Sequence, residues 1–199
     1  MQDHTTEQEL RDRLSLIESM IAEGRRNTEN WGWMFVLWGV AYGLALGWSA
    51  WNHSAWAWPA TVSMAIIVSA VAASVKTRNR PATTLSRAIA CIWIALCISM
   101  FLLFAALGLS GRLTDHLFMA VISAMLGMAY GASGLILRWK LQFGCAVVWW
   151  VAAVVTCFGT DAQSTIVFLV AIFVCQIVFG TYGVIAEAQK RKRLSSVHA

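Results

Sequence analysis

The residues of this chain that could do chemistry are few, and they gather at two depths. His53, Arg112, Asp115, His116 and Asp161 lie in short polar breaks between apolar runs. Two imidazoles and two carboxylates are donors of the kind a zinc site uses, and a metal held there could activate a water. Their spacing does not favour that chemistry: only Asp115 and His116 are neighbours, and no HxxxH or HExxH is present. Solvated loop residues account for the group. Deeper in the apolar runs stand Gln176 and the tyrosines Tyr42, Tyr130 and Tyr182. They could line a path for an apolar or weakly charged solute, or simply hydrogen-bond one helix to another. Proton and ion transporters usually bury an ionisable residue near the membrane midplane, and no Asp, Glu, Lys or Arg lies well inside any run. No nucleophile elbow, phosphate loop or His pair for haem is visible, so no catalytic residue, cofactor or metal is expected. All five cysteines sit in apolar runs without a CxxC pair, which argues against a disulfide framework.

The elements that must hold these residues follow from hydropathy. Hydrophobic residues make up 59% of the 199 positions and charged ones 13%, too apolar for an ordinary water-soluble domain. Crossing a hydrocarbon core of about 30 Å takes about 20 mostly apolar residues in a helix. Six runs qualify, at roughly 33–51, 56–75, 88–109, 116–137, 141–158 and 164–186. The expected fold is all-α: a polytopic membrane protein of six transmembrane helices, arranged as three hairpins and preceded by a cytoplasmic amphipathic helix. Residues 1–30 form that helix and its joint, 31–188 the transmembrane domain and 189–199 a basic tail. With six spans, fourteen of the fifteen Lys and Arg residues fall on one side and only Arg112 on the other. Short cytoplasmic loops collect such residues, so both termini are expected in the cytoplasm. The net charge of +5 then reflects topology, and no nucleic-acid partner is expected.

Ahead of the first span, Thr6-Glu7-Gln8-Glu9 fits a capping box and predicts a helix start. Leu10, Leu14, Ile17 and Ile21 then recur at spacings of 4, 3 and 4, forming one apolar stripe with Met20 beside it. A helix lying on an anionic leaflet usually carries Lys and Arg. Residues 1–30 instead hold seven acids and four bases, so the stripe is expected to touch protein: a second copy, a partner, or the chain's own loop from Lys76 to Arg87. The polar run Asn27-Thr28-Glu29-Asn30 reads as the joint to the membrane.

Within the spans, Gly39, Gly43 and Gly47 make a GxxxGxxxG stripe, and Gly127 and Gly131 a GxxxG pair. Small residues so spaced let helix backbones approach closely in lipid, within one chain or between chains. Trp48, Trp51, Trp56 and Trp58 at one interface, and Trp31, Trp33 and Trp139 at the other, read as interfacial anchors.

The run "SLIESMIAEGRRNTENWGWMFVLWGV" resembles the opening of a family of small, uncharacterised bacterial inner-membrane proteins, with an amphipathic segment entering the membrane through a "WG" span. The resemblance covers roughly residues 14–40; it implies a bacterial inner membrane and carries no activity. The function expected is non-enzymatic assembly with itself or with a membrane or cytoplasmic partner, as an accessory, scaffold or regulatory subunit, through the N-terminal helix and the glycine-lined spans. A small transporter or channel is the alternative, and a membrane enzyme with an outer-face metal the third.

Overall fold

The computed structural model describes residues 2–52, 56–77 and 84–197, and every regular element in them is helical. In hydrocarbon no water is present to bond the amides, and a helix satisfies them within one segment. The elements are α1 (Gln2–Asn30), α2 (Gly32–Asn52), α3 (Ala57–Thr77), α4 (Thr84–Leu109), α5 (Asp115–Ile136), α6 (Lys140–Phe158), α7 (Asp161–Ile172), a π-helical turn (Phe173–Val178) and α8 (Phe179–Val197). Among the described residues, six helices are long and apolar enough to cross a membrane: α2 to α6, and the continuous run from α7 through the π turn into α8. The chain is a multi-pass membrane protein.

Local chemistry sets the ends. Pro59 sits in the first turn of α3, where its missing N–H costs nothing. Thr114 caps α5 by accepting from the Leu117 amide, and Thr160 with Gln163 forms a full capping box at α7. At the other end of α5 the Trp139 amide donates to Gly134 O at 2.8 Å and the Arg138 amide to Leu135 O at 3.1 Å. Those two bonds make a Schellman turn, whose left-handed position is usually glycine; here it is Arg138, at φ 49°.

The start of α1 departs from expectation. The helix begins at Gln2, so Thr6 lies inside it and not at its start. Asn27 to Asn30 are helical as well, and the break falls at Trp31 alone, whose amide donates to Thr28 O at 3.0 Å while its carbonyl accepts from Met34 at 2.9 Å.

Burial divides the bundle. Half of the α5 span and 44% of the last span are buried, against 6% of α3 and of α4, so the former are core and the latter periphery. The core packs Ile122, Leu126 and Tyr130 of α5 on Trp149 of α6, Phe168 of α7 and Cys175 of the π turn. The closest pair is α5 with α6, helices assigned to two different hairpins in the expected grouping of spans. Two of the tryptophans expected as anchors turn inward: Trp58 packs on Tyr42 and Phe118, and Trp139 on Phe179. Trp51 and Trp56 do stand exposed.

Candidate functional site

The heptad spacing of α1 runs past Ile21 to Gly24 and Thr28, three and seven residues further on. One face therefore carries Leu10, Leu14, Ile17, Ile21, Gly24 and Thr28. Its rear half is covered. Gly24 and Thr28 are buried, and a Cβ on Gly24 would lie 2.7 Å from Leu137 and 2.8 Å from Leu85. Beside them Arg25 reaches across the bundle end, its Nε donating to Leu137 O at 3.1 Å and its Nη2 to Arg138 O. Both carbonyls close the C-terminus of α5, where a guanidinium satisfies orphan acceptors and complements the helix dipole. The rear of α1 thus lies partly over the start of α4, in the Lys76-to-Arg87 segment, and partly over the α5–α6 turn.

The front half is uncovered. Leu10 is 62% exposed, Leu14 54% and Ile17 53%, while Met20 and Ile21 are half-buried. Apart from the exposed Leu16, the rest of the helix surface is mostly polar and carries the exposed Glu9–Arg13 ion pair at 2.6 Å. Arg78 and Arg80 lie outside the described residues, as do the side chains of Thr6, Glu7, Lys76, Lys190, Arg191 and Arg193.

The glycines divide in the same way. A Cβ on Gly39 would meet Gln176 Cβ at 2.7 Å. Gly32 and Gly180, on α2 and α8, bring backbones together, with added Cβ atoms 2.7–2.8 Å from each other's carbonyl. Gly127 and Gly131 lie under the Trp150 ring, so the α5 stripe packs within the chain. Gly43 and Gly47 face nothing within 4 Å among the described residues and leave their side of α2 open.

The deep polar group is built around the π turn. Tyr130, fully buried on α5, donates its hydroxyl to Cys175 O at 2.8 Å and lies 3.3 Å from Gln176 Oε1. The widened turn and its tyrosine satisfy one another, and Phe35, Trp93 and Phe179 close around the Tyr130 ring at 5.3–6.0 Å. Tyr42 is buried nearby against Trp38 and Trp58, and Tyr182 is half exposed on α8. Gln142 on α6 escaped the sequence reading: it is fully buried, and neither amide atom has a hydrogen-bond partner among the described residues.

Of the candidate metal donors among the described residues, only His116 and Asp161 come together. Nε2 of His116 bonds Asp161 Oδ1, and Nδ1 lies 3.1 Å from Thr156 O and 3.4 Å from Ser164 Oγ. The grouping has the membership of a Ser-His-Asp triad, but a carbonyl can only accept, so Nδ1 carries its proton towards Thr156. It then has no lone pair with which to take a proton from Ser164. What the histidine does is tie together the ends of α5, α6 and α7. Arg112 and Asp115 are exposed, His53 lies outside the described residues, and no cluster of three or more His, Cys, Asp or Glu suited to a metal occurs among the described residues.

Two signals were present in the sequence but not used: the T-x-x-Q at Thr160 that makes the real capping box, and the extension of the α1 heptad to Gly24 and Thr28. The reach of Arg25 to carbonyls 112 and 113 residues away had no local signal. Comparison with family models, with curated proteins and with solved structures finds no match to this chain.

Proposed function

We propose that this chain is a non-enzymatic subunit of a membrane assembly, docking through the front of α1 and anchoring through its six spans. One observation carries the reading. A single heptad face is covered by the chain's own bundle at Gly24 and Thr28 and left bare at Leu10, Leu14 and Ile17. Burying an aliphatic side chain is worth about 1.5–3 kcal/mol, so three of them in one heptad-spaced line make a docking strip for protein. The acidic balance of residues 1–30 disfavours an anionic lipid surface as its cover. The open Gly43–Gly47 side of α2 offers a second close-packing surface within the membrane. The excess of Lys and Arg on the face bearing the termini supports cytoplasmic termini, and the bacterial inner membrane rests on the resemblance of residues 14–40 alone.

The test is gentle solubilisation from the native host and native mass spectrometry, beside a Leu14→Asp/Ile17→Asp variant. A homo-oligomer or stoichiometric complex that the variant loses supports the reading; a bare monomer in both samples sinks it. The transporter reading keeps one specific observation in its favour, the unpaired amide of Gln142. Solute flux in liposomes that disappears on Gln142→Leu would move the assignment there. Gln176 is the weaker lining residue, because it packs in the Tyr130 network.

A further inference from the structure

The bare strip has flanks, and they are self-complementary. With Leu10 and Ile17 at d positions and Leu14 and Ile21 at a, Arg11 and Glu18 fall at e, and Arg13 and Met20 at g. In a parallel pair of such helices, g of one faces e of the other five residues further on, so Arg13 meets Glu18. In an antiparallel pair e faces e, so Arg11 meets Glu18. Either way Glu18 finds an arginine, twice per pair by two-fold symmetry, and no like charges oppose one another at these four positions. We propose that the strip is occupied by the same strip of a second copy of this chain, in a short two-stranded coiled coil at the membrane surface. The inference rests on the assembly reading above and names its partner.

Two features make so short a seam sufficient. Two copies in one membrane are already confined, so the helices meet at an effective concentration that weak contacts can exploit. The helix is also ordered beforehand, because Arg25 and Gly24 hold its rear half on the bundle, which reduces the entropy lost on pairing. The exposed Arg13–Glu9 pair is of the weak i,i+4 kind and gives way readily to an intermolecular one.

The test is disulfide cross-linking of the full chain in its own membrane, with unsubstituted protein as the control for the native cysteines. Ile17→Cys alone captures a parallel pair at the d layer; co-expressed Leu14→Cys and Ile17→Cys chains capture an antiparallel one. One of these is expected to give mostly cross-linked homodimer. Glu18→Arg should lower that yield about fivefold, and adding Arg13→Glu (parallel) or Arg11→Glu (antiparallel) should restore it. A cross-link indifferent to Glu18→Arg would be collisional and overturn the proposal. No cross-link, with a different polypeptide co-purifying through the strip, would overturn the second copy as occupant while leaving the assembly reading intact. No cross-link and no partner would overturn both.

Discussion

Along α1, one heptad-spaced face meets two different surroundings. From Gly24 to Thr28 the positions are small or polar, and the bundle comes close enough that a single added methyl would collide with Leu137 and Leu85. From Leu10 to Ile17 they are large and aliphatic, and no described residue covers them. Residue size follows the surroundings: glycine where the helix lies tightly on its own protein, leucine and isoleucine where it overhangs and has a wide strip to offer. The glycines of α2 follow the same division, with Gly32 and Gly39 pressed against the last span and Gly43 and Gly47 open. A motif read as one stripe thus serves two ends, internal packing and a free surface.

That contrast can be broken most severely at the helix contact in the membrane. Gly180→Leu, placed against the Gly32 carbonyl and the Val36 amide, is expected to cost about 3 kcal/mol and lower the unfolding midpoint in mild detergent, whereas Gly47→Leu should shift it by less than about 0.5 kcal/mol. Equal losses at both positions would erase the distinction between covered and open glycines. Next comes the π turn: Tyr130→Phe leaves the Cys175 carbonyl without its donor and is expected to cost about 1 kcal/mol in the same assay. Arg25→Ala removes the guanidinium from the end of α5 and should cost roughly 1 kcal/mol, with faster proteolysis of α1; Arg13→Ala, in an exposed i,i+4 pair, should change the monomer by no more than about 0.5 kcal/mol. The last expected effect has the opposite sign. Arg138→Gly relieves a left-handed conformation that L side chains adopt at a cost, and should stabilise by about 1 kcal/mol or less, provided its carbonyl still receives Arg25.

The six spans were legible because the bilayer demands length and apolarity of each segment alone, and their ends fall within a few residues of expectation at five of the six. The last span extended further, since α7, the π turn and α8 continue without a break past the apolar run. The π turn had no local signature, and Tyr130 and Gly39, which pack on it, arrive from other helices. Trp58 and Trp139 occur at the boundary positions where anchors are found, yet tertiary packing turned both rings inward. Of the candidate site, the stripe of α1 was readable as a pattern; which half of it the bundle would cover was not, since that depends on a turn more than 100 residues away.

The most direct measurement is the labelling rate of single cysteines by a membrane-impermeant maleimide, at Leu14→Cys, Ile17→Cys and Thr28→Cys. Each would be read in native membranes and again in dilute detergent, with labelling of the unsubstituted protein subtracted. Thr28→Cys should be protected in both, by the chain's own bundle. Leu14→Cys and Ile17→Cys should be protected in the membrane and become reactive on dilution, as their cover dissociates. Labelling of Leu14→Cys and Ile17→Cys in the membrane as fast as in detergent would contradict the account, leaving the strip bare in its native setting.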